Sequence, residues 1–313
     1  MRIAVVGVGG VGGYFGGRLA QAQEEVVFIA RGDHLRALQT DGLRVTSIKG
    51  DFAIQPAQAT DNPTSVGVVD VVLVSVKAWQ VPEVAQHIQP LVGPETIVVP
   101  LENGVEAPEQ LAQVLSTQHV LGGLCRIVSF IAGPGQILHA AMEPYVAFGE
   151  LDNRPSERAE RLRSAFEQAG VKAEIPANIQ VALWEKFLFI VSISGVGAVT
   201  RAPTGVIRSV PQSRHMLEQA LREALAVGKA QGVPLADEIV PRIMTMIDGS
   251  MPGSTSSMQR DIMNGRASEL DYQTGTIIRL GQEAGVPTPI HTFIYQSLSP
   301  QEQRARGEIE WPE

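Results

Sequence analysis

The sequence predicts an α/β fold: an N-terminal doubly wound parallel sheet followed by a C-terminal all-α domain. In the first half, short apolar runs alternate with helical patterns, as in a parallel sheet covered by helices on both faces. A glycine-rich turn, Gly7 to Gly12, directly follows the first apolar run. From about Asn178 the pattern changes to long helical periodicity. We therefore expect one domain over residues 1–177 and a second over residues 178–313.

The strands of the first half are rich in valine and isoleucine with little alternation, as strands buried on both faces should be. The clearest are Ile3 to Val6, Val26 to Ala30, Val68 to Val76 and Ile97 to Leu101. Additional strands, whose direction the pattern leaves open, are predicted at Val120 to Val128, Gln136 to His139 and Tyr145 to Gly149. Ser156, with an approximate capping box, opens an amphipathic helix that runs to Ala169.

The second half is predicted to be all helical. Met216 to Gly232 shows the plainest periodicity, with Gly232 as its C-terminal cap. Lys186 stands at the entrance of an almost charge-free helix. Small and turn-forming residues predict a mobile loop over Asp248 to Ser257. The mostly polar segment from Gln301 to Glu313 is expected to fray.

Composition narrows the classes of function. The 313 residues carry a formal net charge of −8, which argues against a surface that follows a phosphate backbone, so no nucleic-acid partner is expected. The single cysteine, Cys125, cannot form an internal disulfide, which fits a reducing compartment. The uncharged runs 3–17 and 187–200 are shorter than the roughly 18 apolar residues of a membrane span. We expect a cytoplasmic protein without a membrane partner.

The glycine run carries the strongest chemical signal. It lies between a predicted strand and a helical pattern over Tyr14 to Ala22, which is the context of a Rossmann-like dinucleotide site. The first glycine permits a tight turn, the second lets backbone N–H groups approach a pyrophosphate, and the third lets helix and strand pack closely. A glycine-rich turn without a ligand is the alternative. The residues assigned to the cofactor are Gly7, Gly9, Gly10, Val11 and Gly12.

The residue after the second strand indicates which dinucleotide binds. An arginine at this place suits the 2′-phosphate of NADP, whereas a carboxylate suits the ribose hydroxyls of NAD. The second strand runs into Arg31, so we predict NADPH. In the alternative interpretation Arg31 is a solvated charge and Asp33 binds the hydroxyls.

Polar residues also follow the next two predicted strands. Lys77 follows one, and Glu102 and Asn103 follow the other, at the sheet edge where ligands of open α/β sheets bind. Lys77 and Asn103 could reach the nicotinamide ribose and a substrate carboxylate; alternatively they are ordinary turn residues.

Three residues of the helical half could carry chemistry. The ammonium of Lys186 could protonate a carbonyl oxygen as hydride arrives at its carbon, although a lone lysine beside an apolar helix commonly extends to water. Ile190 and Ser194 would share its face. Ser257 and Glu269 add a hydroxyl and a carboxylate. Considered alone, Ser257 is interpreted as a helix cap and Glu269 as a surface charge. The six histidines show no paired ligand spacing, so no metal is expected.

Together these signals resemble the ketopantoate reductase (2-dehydropantoate 2-reductase) family over nearly the whole chain. The motifs that carry the resemblance are the glycine run, Arg31, residues 75–80, residues 102–104, residues 184–186, and residues 256–258 ahead of residues 269–272. The resemblance implies an NADPH-binding domain and a helical domain with a small branched 2-oxo acid held between them. It also implies Lys186 as general acid, Glu269 as its partner on the substrate hydroxyl, Lys77 and Asn103 lining the site, and Ser257 on the substrate carboxylate.

The chain departs from the family pattern at three positions. Family members carry asparagines where this sequence has Ile190, Ser194 and Thr204. Isoleucine cannot hydrogen-bond a substrate group, so a different 2-oxo acid is an open alternative to ketopantoate. We assign Asn103, Lys186, Ser194 and Ser257 to the substrate.

Other classes of function also remain open. One is a non-catalytic NADP-sensing protein, and another is a dehydrogenase of the 6-phosphogluconate or hydroxyisobutyrate type. The helical half could bury the face of a homodimer, but the sequence does not separate an interface from a core.

Overall fold

The computed structural model describes residues 1–311, and the chain divides into two compact units, the first over Met1–Ala182 and the second from Leu183 onward. Of the segment predicted to fray, residues 301–305 are helical, and Pro312 and Glu313 lie outside the described residues.

The first unit contains ten strands and five α-helices in the order β1 Arg2–Val6, α1 Gly10–Gln21, β2 Glu25–Ile29, α2 Gly32–Asp41, β3 Leu43–Ser47, β4 Phe52–Ile54, β5 Gln58–Thr60, β6 Val71–Val74, α3 Val81–His87, β7 Ile97–Pro100, α4 Ala107–Leu115, β8 Leu121–Gly133, β9 Gln136–Glu150, α5 Glu157–Gln168 and β10 Lys172–Glu174. Helix α6, Ile179–Thr200, begins in this unit and continues into the second.

The described part of the second unit continues with α7 Thr204–Ser209, α8 Pro211–Ala230, α9 Ile239–Asp248, α10 Ser257–Met263, a π-helical turn Asp271–Gly275, α11 Thr276–Ala284 and α12 Pro289–Ala305. The predicted α/β fold with a helical C-terminal domain is therefore confirmed.

The main sheet of the first unit is parallel, with the strand order β5-β2-β1-β6-β7. Its two faces are both buried, because Ile3 and Val5 of β1 belong to one apolar cluster while Ala4 and Val6 belong to another. The absence of alternation in the sequence reflects this double burial. The predicted strand over Val68 to Val76 is shorter than expected: Val68 is 56% exposed and the ladder spans only β6.

The added strands form a second sheet. Strand β9 is continuous and pairs antiparallel with β8 along its length, whereas it pairs parallel with β3 and β10. The sequence predicts two separate strands in this region because Glu143 and Pro144 interrupt the apolar pattern. Register shifts in β8 accommodate the irregular part of the hairpin.

The charge-free helix begins earlier than the sequence suggested. Asn178 accepts a hydrogen bond from the backbone N–H of Val181 through its side chain at 3.1 Å, which is a helix N-cap contact. Lys186 consequently lies two turns inside α6 rather than at its entrance. The helix is long and apolar enough to span a membrane, but 67% of the relevant window is buried, as in the core helix of a soluble protein.

Two helix ends carry the signals that the sequence predicts, although α8 begins at Pro211 rather than at Met216. Gly232, just beyond α8, has a φ of +80°, the left-handed conformation expected of a C-terminal glycine. Ser156 accepts a hydrogen bond from Ala159 N, which confirms the predicted helix start at α5 in the first unit. The loop predicted over Asp248 to Ser257 joins α9 to α10.

Candidate active site

The glycine turn is shaped by very close backbone approaches. Gly7 has a φ of +88°, and a Cβ there would lie 2.7 Å from the carbonyl oxygen of Ser75. A Cβ at Gly12 would lie 2.1 Å from the carbonyl oxygen of Gly7 and 2.2 Å from Ser75 Oγ. These two positions therefore require glycine, as the motif predicts.

The second glycine of the motif differs from its neighbours. No atom lies within 4 Å of the Cβ position at Gly9, whereas a Cβ at Gly10 would lie 2.3 Å from the carbonyl oxygen of Ser129. Gly9 is also the N-cap of α1, with no side-chain hydrogen bond at the cap and no acidic residue in the first turn. An open glycine face over an uncapped helix N-terminus fits the pyrophosphate of a dinucleotide. Gly10 and Val11 form the first turn of α1.

Arg31 lies at the carboxyl end of β2, where it is the N-cap of α2. Its guanidinium is 3.5 Å from Glu83, and the two side chains are 62% and 70% exposed. Because both side chains are so exposed, this ion pair contributes little to stability. The Arg31 guanidinium can therefore readily exchange Glu83 for a phosphate group. Asp33, the alternative ligand for the ribose, pairs with Arg36 on the same helix.

A histidine joins α2 to the second sheet beside this turn. His34 Nδ1 accepts a hydrogen bond of 3.1 Å from the backbone N–H of Gly135. Burial lowers the pKa of His34, while the Val8 carbonyl of the glycine turn opposes this effect. The imidazole is therefore neutral near pH 7 and adds no charge to the cofactor region.

Lys77 and Asn103 follow the two strands beyond β1 in the sheet, β6 and β7. Glu102 accepts a hydrogen bond of 3.0 Å from Val76 N through its buried carboxylate, which joins the two strand ends. Lys77 and Asn103 are themselves half-buried. Because β2, β1, β6 and β7 are neighbouring parallel strands, the structure brings Arg31, the glycine turn, Lys77 and Asn103 to one edge of the sheet.

In the second unit, α6 carries Lys186, Ile190 and Ser194 at intervals of four residues, a spacing that places them along one side of a helix. Lys186 and Ile190 are half-buried. Ser194 is fully buried, and its hydroxyl has no hydrogen-bond partner among residues 1–311. Its assignment to the substrate stays a prediction, one that requires the surrounding side chains to open. Thr204 instead donates to the Ser254 carbonyl at 3.0 Å.

Glu269 is 5% exposed and lies just before the π-helical turn. Its Oε2 accepts a hydrogen bond of 3.1 Å from Nε2 of Gln273, a residue with no exposed surface. Gln273 is not among the residues that the sequence predicts for the site, although it lies four residues from Glu269, a spacing that brings side chains together on a helical turn. Helix α6 packs against the same turn, since a Cβ at Gly195 would lie 3.7 Å from Thr274 Oγ1.

Ser257 is the first residue of α10, and the N-cap hydroxyl belongs to its neighbour Ser256, which accepts from Gln259 N at 3.1 Å. Ser257 is half-buried, and its assignment to a substrate carboxylate stays a prediction. Across residues 1–311, no group of three or more histidine, cysteine, aspartate or glutamate side chains could hold a metal ion.

Two family models match the chain. The model described as ketopantoate reductase PanE/ApbA matches residues 3–153, and the model for the C-terminal part of the same family matches residues 178–302. Together they span both units.

Individual relatives cover nearly the full chain. An uncharacterized oxidoreductase of Bacillus subtilis, YkpB, is 34% identical over 95% of this chain and 98% of its own length. A 2-dehydropantoate 2-reductase of Nostoc sp. is 29% identical over 95% of this chain and 94% of its own. The crystal structure of 2-dehydropantoate 2-reductase from Geobacter metallireducens has 30% identity and a TM-score of 0.90, with coverages of 96% and 99%.

Proposed function

This chain belongs to the ketopantoate reductase family, and from that premise we propose that it reduces 2-dehydropantoate (ketopantoate) to pantoate in pantothenate biosynthesis. Membership identifies it as an NADP-dependent oxidoreductase that acts on a small 2-oxo acid. The proposal adds the identity of that acid, the role of each residue and a cytoplasmic location.

The first unit holds the cofactor in this proposal. The open face of Gly9 and the N-terminus of α1 receive the pyrophosphate, and Arg31 receives the 2′-phosphate. Lys77 and Asn103 bind the nicotinamide ribose, and Asn103 also contacts the substrate. When bound, NADPH supplies the hydride that reduces C2 of the acid.

The second unit supplies the proton. Lys186, as an ammonium ion, donates a hydrogen bond to the C2 carbonyl oxygen and transfers its proton as that oxygen gains negative charge. An ammonium and an alkoxide about 4 Å apart attract each other by about 4 kcal/mol at an intermediate dielectric. Glu269 accepts a hydrogen bond from a substrate hydroxyl, and Ser257 and Ser194 bind the remaining polar groups. The product is a 2-hydroxy acid.

The buried carboxylate of Glu269 is the observation that most supports this assignment. It accepts a hydrogen bond from Gln273 on a turn against which α6, the helix of Lys186, also packs. A protein that only senses NADP has no need for an oriented acid in its helical unit. The arrangement therefore favours catalysis over sensing.

Ile190 supports a second candidate, a 2-oxo acid that lacks the polar group of ketopantoate at this position. It is half-buried one helical turn beyond Lys186, where an apolar side chain cannot pair with a substrate hydroxyl or carboxylate. A pocket with this residue would favour an apolar branch on the substrate.

The test is NADPH oxidation by the purified protein with ketopantoate and with branched, linear and aromatic 2-oxo acids. Ketopantoate should give the highest kcat/KM, and Ile190→Asn should raise this value by about tenfold if the isoleucine weakens ketopantoate binding. Faster reduction of another acid, with a loss in Ile190→Asn, would establish the second candidate. A protein that NADPH stabilises against heat but that reduces no 2-oxo acid would be a sensor.

A further inference from the structure

Glu302 is a buried carboxylate on α12 that the proposed reaction does not use. It is 4% exposed. Its two oxygens accept from Ser268 N at 3.0 and 3.1 Å, and Oε2 also accepts from Ser268 Oγ at 2.5 Å. Arg306, one turn further along, pairs with Glu302 at 2.7 Å and donates to the Ser268 carbonyl at 3.0 Å. Helix α12 thus holds the N–H, the hydroxyl and the carbonyl of Ser268.

Stability alone does not account for this arrangement. Burying an ion pair costs several kcal/mol in desolvation, and apolar side chains of similar volume commonly stabilise a fold as well or better. A hydrogen-bond network around a buried carboxylate does, however, favour one geometry for the groups that it joins. The residue that Glu302 holds is the immediate chain neighbour of Glu269.

A second contact from α12 reaches the other side of Glu269. Tyr295 OH donates to Asp271 Oδ1 at 2.5 Å, and Arg279 donates to the Asp271 carbonyl at 3.1 Å. Ser268 precedes Glu269 and Asp271 follows it by two residues. The short segment that carries the acid is therefore held on both sides by side chains of one helix.

We propose that α12 is a brace for the carboxylate of Glu269 and that Glu302 is its positioning residue. This inference rests on the proposed function, in which Glu269 contacts the substrate hydroxyl. A displacement of about 1 Å in a positioned group can cost on the order of a hundredfold in rate. Glu302 acts through the backbone of Ser268 and need not touch the substrate.

Glu223 of α8 provides a matched control. Its carboxylate, with a side chain that is 10% exposed, accepts from Ile290 N at 2.7 Å, from His291 N at 3.0 Å and from His291 Nδ1 at 2.8 Å. Like Glu302, it is a largely buried carboxylate that accepts from backbone N–H groups. It holds the start of α12 and not the segment of Glu269.

The first experiment separates positioning from general stabilisation by kinetics. Glu302→Gln should lower kcat with the preferred 2-oxo acid by about tenfold or more, and leave the KM for NADPH within about twofold. Glu223→Gln should keep kcat within about twofold of the wild type even where it lowers the melting temperature. Equal losses of kcat in the two variants would overturn the assignment of Glu302 as the positioning residue.

A double-mutant cycle then tests whether Glu302 acts through Glu269. In a Glu269→Gln background, Glu302→Gln should change kcat by less than about twofold, because the group that it positions is already altered. The same factor in both backgrounds would overturn the proposal. If Glu302→Gln does not fold, Ser268→Ala, which removes only the hydroxyl contact, takes its place under the same criteria.

Hydrogen exchange supplies a readout that does not depend on activity. Amides of residues 268–275 should exchange about tenfold faster in Glu302→Gln than in the wild type, and should be unchanged in Glu223→Gln. Unchanged protection in Glu302→Gln would overturn the brace. If the wild type reduces no 2-oxo acid, the proposed function fails, whereas this measurement still decides whether α12 holds the turn.

Discussion

The candidate sites of the two units consist of different chemical groups. In the first unit the candidate pyrophosphate site consists of backbone, because close approaches at Gly7 and Gly12 leave no room for a Cβ and the face of Gly9 stays open. In the second unit the site consists of side chains, and buried hydrogen bonds hold Glu269 and its neighbour Ser268. A backbone site can be recognised from a local motif, whereas a side-chain site depends on partners far away in the sequence.

Loss of the proposed proton donor, Lys186, should give the largest effect on turnover and should leave cofactor binding by the first unit unchanged. Lys186→Ala is expected to lower kcat by at least about a hundredfold, since under the proposed mechanism it removes the group that neutralises the carbonyl oxygen. The KM for NADPH should change little. Lys229→Ala is the control and should leave turnover unchanged. It removes a surface lysine of α8 that pairs with Asp237. Turnover that survives in Lys186→Ala would remove this residue from the mechanism.

Two glycine substitutions separate folding from binding in the first unit. Gly12→Ala should destabilise the protein or prevent folding, because its Cβ would meet the Gly7 carbonyl oxygen at 2.1 Å. Gly9→Ala should retain the melting temperature, since nothing lies within 4 Å of the new methyl group, yet weaken NADPH binding. Thermal denaturation and a cofactor titration measure the two effects. Equal melting temperatures in the two variants would contradict the close packing at Gly12.

The dinucleotide preference should depend on one exposed arginine. Arg31→Ala should weaken NADPH binding by about tenfold or more while NADH binding changes little, because only NADPH carries the 2′-phosphate. Arg36→Ala, on the same helix and paired with Asp33, is the matched control. Kd values for both cofactors decide the matter, and equal losses for NADPH and NADH would show that the 2′-phosphate is bound elsewhere.

The smallest expected effect is a loss of stability at alkaline pH, to which one tyrosine in each unit contributes. Hydrogen bonding to Asp271, with added burial, raises the pKa of Tyr295 to about 12. Burial and Glu174 raise the pKa of Tyr145 to about 12. Each phenol holds its proton more tightly in the folded state, so this stabilisation is complete below the unfolded pKa of about 10. It is lost as the pH rises towards about 12.

Denaturation at a series of alkaline pH values measures this loss. Tyr145→Phe and Tyr295→Phe should each reduce the fall in the free energy of unfolding between about pH 10 and 12. Near neutral pH, only Tyr295→Phe should also lower kcat, because only Tyr295 contacts the segment of Glu269. A loss of kcat in Tyr145→Phe without one in Tyr295→Phe would contradict the expectation that Tyr295 affects turnover through the segment of Glu269.

The sequence predicts local features well. The four main strands, the glycine turn and the change to helices at the second unit all follow from periodicity and motif context within a few residues. The strands β3, β5 and β10 escaped prediction because polar residues interrupt or replace an apolar run, and β4 escaped because it has only three residues. The unbroken course of β9 escaped for a different reason, since Glu143 and Pro144 interrupt its apolar pattern while β8 pairs with it on both sides of this point.

Contacts between distant residues explain what sequence reasoning missed in the second unit. Ser268 and Glu302 are 34 residues apart, and no local pattern connects a serine before a turn with a glutamate on a later helix. The spacing of Glu302 and Arg306 does indicate a helical ion pair. It does not indicate that Glu302 is buried or that the pair holds the backbone of Ser268. The position of Lys186 within α6 was misjudged because the cap, Asn178, precedes an uncharged first turn.

The position of the brace near the end of the chain affects the order in which the two units become functional during synthesis. All strands of both sheets lie before Ala182, and N-terminal domains generally fold first during synthesis. Glu269 gains its support only after Glu302 and Arg306 have emerged from the exit tunnel. We expect a nascent chain to acquire cofactor affinity before it acquires turnover, an interval that stalled chains of increasing length would reveal.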